Sequence, residues 1–205
     1  MKGREEDMIV SAIGDSLTEG DYGIFGKKCI ANVQEKNYPY FLARQSGWEV
    51  RNFGFCGKNA SSYLEEYQKG KVRVEGSDVI VVMLGTNGGL SPREETQGNR
   101  DYAALLSYLH RDAPNAKLYL CAPPRATENP ACSNYGYAEQ VRDAAEFVTA
   151  YAEKHGYLLI DIYHSGLFTA ENEAVMQPND GLHLSEIGYK TLADYIFRHI
   201  EERTR

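Results

Sequence analysis

Positive charge is scarce in this chain of 205 residues. Its 22 Lys and Arg residues stand against 29 Asp and Glu residues, which gives a formal net charge of −7 at pH 7. Binding to nucleic acid or to an anionic membrane surface needs clustered Lys and Arg side chains. The composition therefore argues against a nucleic-acid partner and favours a neutral or weakly charged small molecule. Nothing in it predicts an oligomeric state.

Long apolar runs are missing as well. The first seven residues are mostly charged, and no apolar stretch as long as a membrane span or a signal-peptide core follows them. We therefore expect no membrane span and a cytoplasmic location. The chain also lacks repeats and extended polar segments, and its length suits one hydrophobic core. Residues 1–205 are predicted to form a single domain.

Cysteine is sparse, and its four occurrences are widely scattered, at Cys29, Cys56, Cys121 and Cys132. They lack the close pairs of a zinc knuckle or a redox dithiol, and a chain of this length does not need disulfides to fold. We expect all four to be reduced thiols. No His-x-x-x-His motif or carboxylate cluster supplies a ligand set, so neither a metal nor another cofactor is predicted.

Five short apolar runs bounded by turn residues are typical of buried strands. They cover residues 8–13, 48–53, 78–84, 117–121 and 157–162. Helical patterns lie between and after them, at residues 38–45, 61–68, 99–111, 137–154 and 185–201. Because parallel strands require crossover connections, this alternation predicts an α/β fold. The expected architecture is a flavodoxin-like, three-layer α/β/α sandwich of about five mostly parallel strands.

In such open sheets the ligand crevice lies beyond the carboxyl ends of the strands. Polar and glycine-rich turns follow the first three predicted strands, at residues 14–16, 54–57 and 85–87, and a further loop follows residue 162. The fold is expected to gather these turns at one edge of the sheet. The chemistry of the protein should be sought there.

Ser16 follows the first predicted strand in the segment 13–20, whose glycines permit a sharp turn. A hydroxyl at the exposed end of a strand can act as a nucleophile. The alternative is that Ser16 only caps the following helix. Its neighbour Asp15 is better placed to brace the turn through local amides than to act as an acid or base.

A weak serine nucleophile needs a base with its own orienting group. His183 lies three residues after Asp180, just before the last predicted helix. The imidazole can take the proton of Ser16, while Asp180 accepts from the other ring nitrogen and fixes the tautomer. The alternative is a turn-capping aspartate beside an ordinary histidine.

The other histidines are weaker candidates for the base. Three of them, His110, His155 and His199, lie in or at the ends of helical patterns. His164, in the loop after the fifth strand, is the one serious rival. No carboxylate follows it at a comparable short spacing, so His183 is preferred.

Acyl transfer also needs hydrogen-bond donors directed at the oxyanion. Three candidates are the backbone amide of Ser16, the backbone amide of Gly57 and the side-chain amide of Asn87, each in a turn after a predicted strand. Simpler interpretations exist, since Gly57 suits a tight strand-to-helix turn and Asn87 suits an Asx turn.

The four motifs together resemble those of the SGNH (GDSL-type) hydrolases. They are Gly-Asp-Ser-Leu at 14–17, Asn-x-Gly-x-x-Gly at 52–57, Gly-Thr-Asn at 85–87 and Asp-x-x-His at 180–183. Each motif is short and weak alone, but all four occur in the order of that family and span residues 14 to 183.

The resemblance implies a role for each candidate. Ser16 becomes the nucleophile, Asp180 and His183 its catalytic partners, and Gly57 and Asn87 donors to the oxyanion together with the Ser16 amide. Two departures affect the surroundings of the site rather than the nucleophile. Gly88 stands where the family usually has Asp, and Asn59 stands where it often has Ser or Thr.

These observations predict a serine esterase that works through an acyl-enzyme. Short acyl groups such as acetyl, carried on a sugar or another small alcohol, are the expected substrates. A thioesterase or a lysophospholipase-type acylhydrolase uses the same mechanism and is the enzymatic alternative. A flavodoxin-like module that binds phosphate or flavin is the non-enzymatic one, but it leaves Asp180, His183 and Asn87 unexplained. A degenerate esterase fold that only binds carbohydrate is disfavoured by the intact set of motifs.

Overall fold

The computed structural model describes residues 8–24 and 36–203 of the chain. Five strands form one sheet in the order β2-β1-β3-β4-β5, and every neighbouring pair is parallel. The strands are β1 (Ile9–Gly14), β2 (Glu49–Gly54), β3 (Val79–Met83), β4 (Lys117–Ala122) and β5 (Leu158–Asp161). All five predicted strands are confirmed, with bounds that shift by at most a few residues.

Helices cover both faces of the sheet. In chain order they are α1 (Ser16–Glu19), α2 (Tyr38–Ser46), α3 (Ala60–Gln68), α4 (Gln97–Asp112), α5 (Ala138–His155), α6 (Glu173–Met176) and α7 (Glu186–Glu201). The predicted three-layer α/β/α sandwich is thus confirmed. The short helices α1 and α6 were not predicted, because four residues are too few to show a periodic apolar pattern.

Alternate residues of the buried strands supply two separate cores. Ile80 and Val82 of β3 face helices α3, α4 and α5, whereas Val81 and Met83 face helices α2 and α7. Both faces of β3 are buried because parallel sheets are covered by helices on each side. The two cores hold the central strands rigidly, so the turns at their carboxyl ends have a fixed support.

Caps set the helix starts more accurately than the apolar pattern did. Helix α3 begins at Ala60 because Asn59 is its N-cap: the Asn59 Oδ1 accepts from the Ser62 amide at 3.0 Å, and the Ser62 Oγ accepts from the Asn59 amide at 3.1 Å. Asn59, one of the two departures from the family pattern, therefore serves the helix start. Helix α4 likewise begins at Gln97, because Thr96 caps it by accepting from the amide of Asn99.

The prediction of four reduced thiols is wrong for Cys56, which is disulfide-bonded. Cys121 is free and buried within strand β4, and Cys132 is free and half-buried. Cys29 lies outside the described residues. The error arose because cysteines far apart in sequence give no sign of their distance in the fold. Over residues 8–24 and 36–203, no helix has the length and apolar character needed to cross a membrane.

Candidate active site

Ser16 lies at the turn between β1 and α1. Asp15 caps α1, with its Oδ1 accepting from the Leu17 amide at 3.0 Å. Gly14 has no room for a side chain, since a Cβ there would lie 2.0 Å from the Thr18 Oγ1 and 2.7 Å from the Met83 carbonyl oxygen. These contacts fix the turn and present Ser16 at the carboxyl edge of the sheet. Asp15 occupies the bracing position expected from the sequence.

The loop between α6 and α7 carries Asp180 and His183. The Asp180 Oδ1 accepts from the backbone amides of Leu182 and His183, at 3.0 Å and 2.8 Å. Gly181 adopts a φ of +75°, and a Cβ there would lie 2.4 Å from the Thr127 side chain. The Thr127 amide also donates to the Gly181 carbonyl at 2.7 Å. The loop is therefore clamped to the segment that follows β4.

These two segments bring Ser16, His183 and Asp180 into one chain of hydrogen bonds. The His183 Nε2 lies 2.9 Å from the Ser16 Oγ, and the His183 Nδ1 lies 2.6 Å from the Asp180 Oδ2. Both distances suit hydrogen bonds, and the second is short, as bonds to a charged carboxylate are. The alternatives of a helix-capping serine and an isolated histidine do not require this alignment across 167 residues of sequence.

The surroundings of His183 raise its pKa above the ordinary value of 6.5. Burial alone lowers the pKa by disfavouring the imidazolium, but the hydrogen bond to Asp180 and the charges of Asp180, Asp21 and Asp15 outweigh it. Burial alone also raises the pKa of Asp180, yet the His183 ring and the two backbone amides lower it overall. The site favours an ionised Asp180 beside an imidazole that is more basic than usual.

Asp15 lies beneath the site and is fully buried. Burial raises its pKa to about 6, because no water solvates its charge. Hydrogen bonds from the Leu17 amide and the Thr86 side chain lower this pKa but do not cancel the effect of burial. Asp15 is a second buried carboxyl group whose charge contributes to the raised pKa of His183.

The turn that contains Gly57 and the turn that contains Asn87, both predicted to carry oxyanion donors, lie next to each other. Gly57 adopts a left-handed φ of +73° in the turn after β2, a conformation that favours glycine. Asn87, in the turn after β3, donates its Nδ2 to the Lys58 carbonyl at 3.0 Å. This hydrogen bond uses one hydrogen of the Asn87 side-chain amide and holds the side chain beside the Gly57 turn. The second hydrogen of that amide forms no hydrogen bond among the described residues. No Asx turn at Asn87 is found among the described hydrogen bonds.

Gln140 occupies the space next to Gly88, the second departure from the family pattern. Its Nε2 donates to the Thr86 carbonyl at 2.8 Å, and a Cβ on Gly88 would lie 3.0 Å from its Oε1. Helix α5 therefore braces the Asn87 turn with an amide. This contact could not be predicted from the sequence, because Gln140 lies 54 residues from Thr86.

His164 forms no hydrogen bond with Ser16 among the described residues, but it also has a carboxylate at a spacing of three, on its N-terminal side. Asp161 precedes it by three residues, and the Asp161 Oδ2 lies 2.9 Å from the His164 Nδ1. The chain thus holds a second Asp-x-x-His pair of the same spacing. The His164 side chain is 56% exposed, compared with 14% for His183, which places it at the surface rather than in the site.

Within the described ranges no group of three or more His, Cys, Asp and Glu side chains is arranged to hold a metal ion. Arg125, near the loop after β4, pairs with Glu128 at 3.3 Å and lies over the Tyr163 ring, 5.7 Å from its centre. Its charge is engaged locally.

The parallel sheet, the strand order and a serine aligned with a histidine and an aspartate at its carboxyl edge are typical of α/β hydrolytic enzymes. A family model described as GDSL-like lipase/acylhydrolase matches residues 12–191. The chain therefore belongs to this family, and the predicted membership of the SGNH hydrolases is confirmed. The predicted enzyme class, a GDSL-type acylhydrolase, is confirmed at the level of the family.

Solved structures share the fold along nearly the whole chain. The lipase/acylhydrolase from Enterococcus faecalis has a TM-score of 0.71 at 21% identity, over 96% of both chains. The aryl esterase of M. smegmatis has a TM-score of 0.69 at 18% identity, over 95% of this chain and 99% of its own. A carbohydrate acetylesterase family member from Sinorhizobium meliloti has a TM-score of 0.68 at 20% identity, over 95% and 98%. A sequence comparison with curated proteins gives no match.

Proposed function

We propose that this protein is a serine esterase that hydrolyses short-acyl esters, above all acetyl esters, of a sugar or another small alcohol. Ser16 is the nucleophile, His183 the base and Asp180 its orienting partner. The observation that carries the proposal is the aligned chain of hydrogen bonds, 2.6 Å from Asp180 to His183 and 2.9 Å from His183 to Ser16. Residues 1–205 are proposed to act as a single domain.

In the first half of the reaction the Ser16 Oγ attacks the carbonyl carbon of the ester, and its proton passes to the His183 Nε2. The negative charge that develops on the carbonyl oxygen is held by the amides of Ser16, Gly57 and Asn87. Collapse of the tetrahedral intermediate breaks the ester bond, and the departing alcohol oxygen takes the proton from Nε2. An acyl-Ser16 ester remains.

In the second half a water molecule attacks the acyl-Ser16 ester. His183 removes a proton from the water and later returns it to the Ser16 Oγ, which releases the carboxylic acid. Asp180 stabilises the imidazolium twice in each cycle. The raised pKa of His183 suits this task, because a stronger base removes the serine proton more readily.

The carbohydrate acetylesterase family member among the structural neighbours supports the proposed preference for acetyl esters. Thioesterase and lysophospholipase-type activities share the mechanism and remain alternatives. A phosphate-binding role is disfavoured by charge, since Asp15, Asp21 and Asp180 surround His183. The cytoplasmic location stays a prediction, and the disulfide at Cys56 weighs against it because disulfides are rare in that compartment.

A series of p-nitrophenyl esters from acetyl to octanoyl, followed by a panel of acetylated saccharides, tests the proposed function. We expect kcat/KM to be highest for the acetyl ester and to fall as the acyl chain lengthens. A maximum at octanoyl contradicts the short-acyl proposal and favours a lysophospholipase-type enzyme. Absence of hydrolysis across the whole series, with purified folded protein, removes the esterase proposal and leaves a carbohydrate-binding role.

Asn87→Ala should lower kcat by roughly 10²- to 10³-fold with little change in KM, because an oxyanion donor acts only in the transition state. Its melting curve should stay close to wild type. Asn59→Ala is the matched control, since it removes an N-cap of α3. That variant should lose about 0.5–2 kcal/mol of stability and keep its kcat. Wild-type kcat in Asn87→Ala, on a substrate whose chemical step limits the rate, removes Asn87 from the oxyanion hole.

A further inference from the structure

Asp21 is a carboxylate that the serine mechanism does not use, although it lies beside the reacting groups. It follows Gly20, which ends α1, and its amide donates to the Ser16 carbonyl at 3.0 Å. Its own carbonyl accepts from the hydroxyl of the fully buried Tyr189 at 2.6 Å. The backbone of Asp21 is therefore fixed between the nucleophile turn and helix α7.

One carboxylate oxygen of Asp21 is engaged, and the other faces the site. The Oδ1 accepts from the Gly23 amide at 2.9 Å, whereas the Oδ2 lies 3.8 Å from the His183 Nε2. The Cys56 sulfur is also 3.8 Å from the Oδ2, but a disulfide sulfur carries no proton to donate. Among the described residues the Oδ2 thus has only His183 as a charged partner, and that nitrogen is shared with Ser16.

Among the described residues, no lysine or arginine lies in an ion pair with the carboxylates of the site. Within residues 8–24 and 36–203, neither lysine nor arginine forms an ion pair with Asp21, Asp15 or Asp180. The Asp21 side chain is only 13% exposed, so solvent screens its charge less than that of a surface carboxylate. In the part of the chain that the structure describes, the approach to Ser16 therefore passes a carboxylate that no lysine or arginine pairs with.

We propose that Asp21 is a specificity-determining residue, which favours esters whose alcohol carries a positive charge or hydrogen-bond donors and disfavours anionic ones. This inference rests on the proposed function. The departing alcohol oxygen must reach the His183 Nε2 to collect its proton, so the alcohol passes the Asp21 Oδ2 at 3.8 Å from that nitrogen. An ammonium or hydroxyl group there gives the Oδ2 a closer partner than the His183 Nε2 at 3.8 Å.

Acetylcholine and 3,3-dimethylbutyl acetate separate charge from shape, because they have the same form and differ in the charge of the alcohol. We expect the wild type to have the higher kcat/KM for acetylcholine. Asp21→Asn should lower the ratio of the two kcat/KM values by about fivefold or more, since a pair of unit charges near 4 Å contributes about 1 kcal/mol even in water. Asparagine keeps an oxygen for the Gly23 amide, so the turn is retained.

The ratio is the readout because Asp21 also acts on His183. Loss of its charge lowers the pKa of that imidazole and changes both rates together, which cancels in the ratio. Asp194→Asn is the matched control: it removes the same charge from an exposed position on α7 and should leave the ratio unchanged. In the wild type, raising the ionic strength from about 0.02 M to about 0.5 M should also lower the ratio.

An unchanged ratio in Asp21→Asn, with both rates altered equally, assigns Asp21 to positioning alone and overturns the proposal. A wild-type ratio at or below one, insensitive to salt, overturns it without any variant. In both cases the ester is still hydrolysed, so the proposed function stands. If the wild type hydrolyses neither ester and no fluorophosphonate labels it, both proposals fall together.

Discussion

Ser16→Ala is expected to lower kcat for p-nitrophenyl acetate by roughly 10⁴- to 10⁶-fold, because it removes the atom that forms the acyl-enzyme. Binding and the oxyanion donors survive, which leaves a small residual rate above that of water. The Ser16 Oγ bonds only to His183 among the described residues, so the melting curve should hardly move. Initial rates of the variant and the wild type, each corrected for hydrolysis in buffer without enzyme, give the loss of kcat directly.

Covalent labelling locates the same nucleophile independently. A fluorophosphonate should add one adduct to the wild type, because the activated hydroxyl attacks phosphorus as it attacks an acyl carbon. Peptide mapping should place the adduct on Ser16, and Ser16→Ala should not be labelled. Ser107→Ala, which changes an exposed serine on α4, is the control and should be labelled fully. An adduct on another serine contradicts the assignment of the nucleophile.

The fold was predictable because its causes are local. Buried strands such as β3 are continuous apolar runs, and the helices between them show clear amphipathic patterns. The alternation of the two then permits few topologies. Single side chains set the bounds that the pattern missed, as when the Thr96 cap starts α4 at Gln97, before the predicted start at residue 99.

The candidate site was predictable only where its residues fall in recognisable motifs. Ser16 and His183 lie 167 residues apart, and their contact follows from the motif order together with the parallel sheet. Asp21 and Gln140 lie outside the motifs, so their positions beside His183 and Thr86 depend on packing that the sequence does not state. The disulfide at Cys56 was missed for the same reason.

Asp161 shows the opposite failure, in which a motif was present and overlooked. It forms with His164 the same Asp-x-x-His pair as Asp180 forms with His183. Sequence spacing cannot tell the two pairs apart, since both bring a carboxylate to the imidazole Nδ1. The position of Ser16 and the burial of His183 distinguish them. The two pairs therefore offer a matched set of variants within one chain.

Asp180→Asn is expected to lower kcat/KM by about 10⁴-fold without unfolding the protein. The Oδ1 that accepts from the Leu182 and His183 amides is retained in asparagine, so the loop keeps its backbone contacts. The Asp180 Oδ2, which lies 2.6 Å from the His183 Nδ1 in the wild type, is replaced by the amide NH₂ of asparagine. The imidazole must then accept at Nδ1 and carry its proton on Nε2, where it cannot receive the Ser16 proton.

Asp161→Asn is the control for this variant, because it makes the identical change in the exposed pair with His164 and should leave kcat/KM at the wild-type value. The pH profile adds a second readout. In the wild type, kcat/KM should fall as the pH drops through the raised pKa of His183, above its ordinary 6.5, because the protonated ring cannot act as a base. In Asp180→Asn the midpoint should move to lower pH, since the main groups that hold this pKa up are the hydrogen bond and charge of Asp180. Activity lost in Asp161→Asn and kept in Asp180→Asn would make His164 the base and leave the 2.9 Å contact between His183 and Ser16 without a catalytic role.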